Sequence, residues 1–257
     1  MGLYPAMQAD KFNFLLRLGD NALILSQRLS EWCGKGPALE EDMALANVAL
    51  DLLGQARLWL GYAAEVDGKG GDEDSLAFLR DAHNFRNLLL VEQPNGHYGD
   101  TLARQFLFDT WHYFLLRELT GSHDKRIAAI AEKSLKEVTY HVRRSGDLVV
   151  RLGDGTEESR RRMQASLNDL WMYTGEMFRD DAVDHAMHVE GDAPVLSSLR
   201  EPWLAHLREI CQEATLTLPP AEAWMQSGGR QGVHTEHLGY LLAEMQFLQR
   251  VYPGAQW

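Results

Sequence analysis

The eight prolines of this chain stand at positions 5, 37, 94, 194, 202, 219, 220 and 253, so residues 38–93 and 95–193 contain none. Proline breaks a helix interior by removing an amide donor and clashing with the preceding turn. Two long tracts without it, each with apolar residues spaced by three and four, predict long amphipathic helices. The first is expected over about Lys11–Cys33, where Leu15, Leu16, Leu18, Leu23, Ile24 and Leu29 form a wide apolar face and Gly34-Lys35-Gly36-Pro37 stops it. The second runs from Glu40 to about Val66, with acids in its first turn and Asp67-Gly68 at its end. These two make a helical hairpin.

Further helices are expected from Asp72 through Leu90, from about Gly99 to Leu119 after the Pro94-Asn95-Gly96 turn, and from Asp124 to Leu152. Thr156-Glu157-Glu158-Ser159 starts another, to about Phe178, and shorter pieces follow near Asp181–Glu190, Pro194–Ala214 and Glu236–Val251. No strand pair with a hairpin turn, no repeat of fixed period and no low-complexity tract occurs. The expected fold is all-α: one domain over residues 1–257, a central up-down bundle with additional C-terminal helices.

Composition narrows the partners. With 37 Asp and Glu against 25 Lys and Arg, the formal charge is −12, which repels phosphate backbones and anionic lipid heads. Nucleic acid and membrane are therefore not expected as partners. No apolar run approaches a membrane span and no basic-then-apolar leader opens the N-terminus, so a cytoplasmic location is expected. Cys33 and Cys211 lie far apart and outside any CxxC pair, which suits reduced, buried thiols. The basic residues Arg126, Lys133, Lys136, Arg143, Arg144, Arg151, Arg160, Arg161 and Arg162 read as a solvated helix surface.

Carboxylates inside apolar helix faces are the informative residues, because burying one costs several kcal/mol, roughly, unless a metal, proton or partner compensates. Four qualify: Asp20, Asp51, Asp109 and Glu137. Asp20 and Asp51 are 31 residues apart, and Asp109 and Glu137 are 28 apart. Two antiparallel helices and a short turn would put each pair at similar height. That is the layout of a ferritin-like di-iron bundle, in which two helices each give a carboxylate and two each give Glu-x-x-His.

The histidines are missing. Three residues after Asp51 stands Gly54, and three after Glu137 stands Tyr140. Neither supplies an imidazole, and three of the four acids are the shorter aspartate. These six positions are read as a vestigial di-iron site with no catalytic, cofactor-binding or metal-binding residue. The acids are expected to sit in a hydrogen-bonded and ionic network with neighbours one turn away: Arg17 and Asn21 for Asp20, Asn47 and Gln55 for Asp51, Gln105 and His112 for Asp109, Lys133 and His141 for Glu137. The competing readings are acids that face solvent, and a rearranged metal site that uses His112 and His141 in an oxygenase or oxidase acting alone. His234-Thr235-Glu236-His237 reads as a helix cap or packing contact and not as a ligand cluster. Asp184, His185 and His188 lie on a charged helix expected to be exposed. Gly153-Asp154-Gly155 lacks the strand and third glycine of a nucleotide loop.

Several stretches resemble a known family: Leu16-Arg17-Leu18-Gly19-Asp20-Asn21, Leu25-Ser26-Gln27-Arg28-Leu29, Leu50-Asp51-Leu52-Leu53-Gly54-Gln55-Ala56-Arg57, and Asn87-Leu88-Leu89-Leu90-Val91-Glu92-Gln93-Pro94-Asn95-Gly96. His234-Thr235-Glu236-His237-Leu238-Gly239, Ala243-Glu244-Met245-Gln246 and the terminal Pro253-Gly254-Ala255-Gln256-Trp257 continue it. The chain is similar to the C subunits of phenylacetyl-CoA ring epoxidases. The resemblance implies a ferritin-like structural subunit of a bacterial multicomponent monooxygenase of phenylacetate catabolism. In that system an A subunit carries the di-iron centre and epoxidises the aromatic ring, and a B subunit and an iron–sulfur flavin reductase complete it. The implied partners are the A subunit and also the B subunit, with a homodimer when the chain is alone; no cofactor is implied in this chain.

Overall fold

A computed structural model describes residues 3–220 and 223–255, so Met1, Gly2, Gln256 and Trp257 lie outside the described residues, the last two with the end of the terminal stretch quoted above. The chain is all-α, without strands among the described residues, and follows the ferritin-like order of long up-down hairpins and then shorter helices. No helix is long and apolar enough to cross a membrane, among the described residues. The chain divides into two compact units, residues 1–94 with 228–257 and residues 95–227.

The first unit is built on α1 (Leu3–Ser30) and α2 (Leu39–Asp67). They pack closely because Gly19 has no side chain: a Cβ there would lie 2.6 Å from Leu60 Cδ2. Between them Asp42 folds its carboxylate back onto Gly36 N–H at 2.8 Å, and these loop amides hold its pKa below the usual carboxylate value. Gly68 ends α2 in the left-handed region, φ 66°, with its N–H on Ala64 O, as Asp67-Gly68 predicts. Trp59, Leu52, Leu15, Ile24 and Leu25 are fully buried between the two helices and the loops that cover them. Each such side chain contributes about 1.5–3 kcal/mol.

The helix expected from Asp72 through Leu90 is not formed as such. Only α3 (Glu73–Phe78) is helical there, opened by a reciprocal Asp72–Ser75 cap and followed by a single 3₁₀ turn at Ala82–Asn84. The cause is tertiary. Phe85 and residues 87–93 are all buried in succession, which one helix face cannot achieve, and side chains of α1 take the backbone donors of this segment. The last helix is also divided, into α9 (Glu236–Met245) and α10 (Phe247–Val251), because buried Gln246 donates to the carbonyls of Ala77 and Arg80. Between the hairpin and α9 lies a 3₁₀ turn at Gly229–Gln231.

The second unit contains α4 (Tyr98–Leu119), α5 (Lys125–Gly153), α6 (Glu157–Trp171), α7 (Ala182–Val189) and α8 (Arg200–Glu213), with 3₁₀ turns at Gly175–Phe178 and Leu196–Leu199. The caps match the sequence reading. Thr156 and Ser159 cap α6 reciprocally, and Asp124 accepts from the N–H groups of Arg126 and Ile127 at the start of α5. α6 stops at Trp171, earlier than expected, and a 3₁₀ turn replaces its last part. Residues 194–199 likewise stay outside α8. α4 is buried on nearly every side from Gly99 to His112. Trp203 of α8 donates its indole N–H to Leu107 O at 3.0 Å and stacks on Trp171, which locks α8 to α4 and α6. Both cysteines are free thiols; Cys211 is buried, whereas Cys33 is exposed in the α1–α2 connection, contrary to the expectation for it.

Candidate functional site

Asp20 is completely buried on α1, and its partners come from far along the chain. Arg80 places one terminal nitrogen 3.0 Å from Oδ2 and the other on Oδ1, and Arg86 donates its backbone N–H to Oδ2 at 2.8 Å. Arg80 also lies 4.2 Å above the Phe85 ring. The next residue, Asn21, accepts from Leu88 N–H at 2.7 Å. Thus the Asp20-Asn21 pair pins the irregular segment 85–88 to α1. Of the neighbours expected for Asp20, Asn21 turns to Leu88 N–H, because an extended buried segment leaves amides that only a side chain can satisfy.

The hairpin register also separates Asp51 from Asp20. Gly19 packs against Leu60, and Ser26 donates to Ala49 O at 2.8 Å, so Asp51 lies nearer the level of Ile24 than of Asp20. The offset is roughly one to two turns. Spacing of 31 residues misplaces them because α2 packs displaced along α1 by several residues from the register that equal heights would need. Asp51 is half-buried, and Gly54 is exposed, with open space where a Cβ would stand.

In the second unit Asp109 faces His141 and Ser145 across α4 and α5, and Gln105 donates to its Oδ1 at 3.3 Å. Burial pushes this carboxyl up to about 6, against the opposing pull of His141, Ser145, Arg144 and Arg104. Glu137 lies a turn away and half-buried, so it does not oppose Asp109 as the spacing of 28 suggests. Tyr140 is exposed by 42% and meets His141 edge-on. His112, expected beside Asp109, instead packs its ring 5.0 Å from Phe108 and near Trp111. Burial, helped by His141, pushes its imidazole down to about 3, and its Nδ1 has no hydrogen-bond partner among the described residues.

His234 and Thr235 belong to a different construction. His234 Nδ1 lies 2.8 Å from Glu92 Oε2 and its Nε2 3.1 Å from Phe85 O. Thr235 gives its N–H and hydroxyl to Glu92 Oε1, and Asn87 donates to Oε2 at 2.9 Å. Thr235 therefore occupies the N-cap of α9 without capping it through its side chain. Arg28 closes the cluster on Glu92 O. Glu92 is the residue sequence reasoning missed, although it stands directly against the apolar run Leu88-Leu89-Leu90-Val91. Asp184, expected to be exposed, is buried and caps α7 reciprocally with Asp181, while His185 and His188 are exposed.

In neither unit do three or more His, Cys, Asp or Glu side chains form a group that could hold a metal ion, among the described residues. The di-iron pair that the ferritin-like layout implies does not fit the residues present. Asp20 already carries a guanidinium on both oxygens, and Gly54 and Tyr140 offer no imidazole. The Asp20 and Glu92 clusters hold helices and loops in place.

Comparison with known proteins agrees with the resemblance. Residues 4–257 match the family described as Phenylacetic acid catabolic protein. The chain is 54% identical over 244 residues to the C subunit of the 1,2-phenylacetyl-CoA epoxidase of Escherichia coli (strain K12), covering 95% of this chain and 98% of that protein.

Proposed function

Because the chain belongs to the phenylacetic acid catabolic protein family, we propose that it is the non-catalytic subunit that pairs with and supports the di-iron A subunit of a phenylacetyl-CoA epoxidase. One observation carries this reading: the buried carboxylate of Asp20 is taken up by Arg80 and Arg86, where a metal-binding bundle would leave it for the ion. The chemistry left to such a chain is assembly. A surface suited to assembly is present on α2, where Leu39, Met43, Leu50 and Leu53 are exposed along one side of the helix, Leu50 by 64%. Exposed apolar stripes of this kind mark contact with another chain. The A subunit is the proposed occupant, the B subunit a further partner, and the cytoplasm the proposed compartment.

Coexpression with the A subunit tests this. The expected result is a stable stoichiometric complex in gel filtration, with ring epoxidation only in its presence and no iron-dependent oxygen uptake by this chain alone. A monodisperse monomer that ignores the A subunit, or stoichiometric iron and turnover from the lone chain, overturns it.

A further inference from the structure

The basic residues that the sequence gathers between positions 126 and 162 do not share one fate. Glu158 takes both Arg161 and Arg162, and Arg144 reaches the Tyr98 hydroxyl at 3.4 Å. Lys125, Lys133, Lys136, Arg143 and Arg151 of α5 are exposed and have no ion-pair partner among the described residues. At the turn and rise of an α-helix these five fall within a sector of roughly 80° and along about 40 Å of its length. Glu132 and Asp147 stand on the same face, also exposed and outside any ion pair among the described residues, and leave it positive in balance. Lys133 and Lys136, three residues apart, repel each other. Tyr140, exposed by 42%, stands between Lys136 and Arg143 on that face. Tyrosine beside arginine is a pairing enriched where proteins meet.

Arg143 also lines an open cleft of about 370 Å³ where α4, α5 and α8 meet. Tyr113, Phe114, Val142 and Ile210 wall it, and Gly146 widens it by leaving α5 bare. Thr110 and Thr139 turn their hydroxyl hydrogens back onto the carbonyls of Phe106 and Leu135, so they offer no donor there. A basic stripe with an apolar recess beside it selects among anionic partners. Nucleic acid is repelled by the net charge of −12. A membrane surface takes up protruding apolar side chains, whereas here the apolar surface is recessed. An acidic protein segment answers both features, with carboxylates for the stripe and a side chain for the recess. We propose that the exposed face of α5 and the adjoining cleft form a docking surface for an acidic segment of a partner protein. Its carboxylates lie along Lys133, Lys136 and Arg143, and one aliphatic or aromatic side chain enters between Phe114, Val142 and Ile210.

The test is fluorescence anisotropy of a labelled helical peptide, glutamate at every third or fourth residue and one central leucine, titrated with the full-length chain. Saturable binding is expected, weakened at least about tenfold when salt rises from about 0.03 M to about 0.3 M. Serine in place of the peptide leucine should weaken it at least about threefold. Lys133→Glu with Lys136→Glu and Arg143→Glu should lose at least about tenfold in affinity. Arg57→Glu with Lys69→Glu and Arg161→Glu makes the same charge change at exposed positions elsewhere and should keep most of it. Circular dichroism checks that both variants fold. A Cβ at Gly146 would meet Ile210 Cδ1 at 3.6 Å, an ordinary contact, so Gly146→Ala should fold normally and weaken the leucine peptide but not the serine one. Absence of saturation by about 1 mM protein overturns the proposal. So does an equal loss in the two charge variants, or a leucine peptide indifferent to both serine and Gly146→Ala. Tighter binding of heparin fragments, or of vesicles of phosphatidylglycerol and phosphatidylcholine, would overturn it by assigning the face to a polyanion or a membrane.

Discussion

Arg80 meets Asp20 end-on, with one terminal guanidinium nitrogen on each carboxylate oxygen, and the carboxylate end of this pair is fully buried. The pair joins the start of the irregular segment after α3 to the middle of α1. Removing one partner of a buried ion pair leaves the other uncompensated, at a cost of about 3–5 kcal/mol. Arg80→Ala is therefore expected to lower the unfolding free energy by that much in urea titrations. Asp20→Asn with Arg80→Met should cost clearly less than the single change, because no bare charge remains. Equal losses for the two would show that the pair is not the cause.

Glu92 ties the segment 228–235 to the loop that follows α3. Glu92→Gln keeps the shape but removes the charge that accepts from Thr235, Asn87 and His234. Hydrogen bonds to a charged group contribute about 1.5–3 kcal/mol each. The expected outcome is faster amide exchange confined to residues 228–251 and the 85–93 loop, with α4 and α5 unchanged. Uniform exchange across the chain would point to global destabilisation in place of a local joint.

Asp109 and His112 give opposite pH dependences. The Asp109 carboxyl titrates near 6 when folded, above its ordinary value of 3.8, so the fold binds its proton more tightly. Its contribution is full below about pH 4 and is lost as pH rises through 6, a change of about 3 kcal/mol by pH 8. Asp109→Asn should thus gain stability relative to the parent between pH 4 and pH 8. His112 titrates near 3, below its ordinary value of 6.5, so its contribution is present above 6.5 and lost as pH falls toward 3. The loss is on the order of 5 kcal/mol. His112→Phe is expected to flatten the acid limb of a thermal-denaturation profile. An unchanged limb would show that His112 is not what destabilises the protein in acid.

Leu50 and Leu53 lie exposed on α2, away from the buried face that holds Leu52 and Trp59. Leu50→Glu with Leu53→Glu should leave the folded chain intact, since each surface change away from special features shifts stability by about 0.5 kcal/mol or less. Coelution with the A subunit should nevertheless be lost. Retained coelution would move the interface to another face of this chain.

Proline placement and apolar spacing were enough to read α1, α2, α4 and α5, because a long helix shows its buried face as a repeat of three and four along the chain. Asp67-Gly68, Asp124 and Thr156 were legible as helix ends for a similarly local reason: a cap acts on amides within a few residues. The residues missing from the metal-binding pattern, at Gly54 and Tyr140, could also be read directly. The run 85–93 could not. Its apolar residues suit a helix as well as a buried loop, and only Asp20 and Asn21, more than sixty positions earlier, take its amides and decide for the loop. The same holds for the acids: local spacing named Asp20 and Asp109, but their partners Arg80, Arg86 and His141 come from other elements. Helix periodicity is a property of neighbours along the chain. The neutralisation of a buried charge is a property of whatever tertiary packing brings within about 3 Å of it.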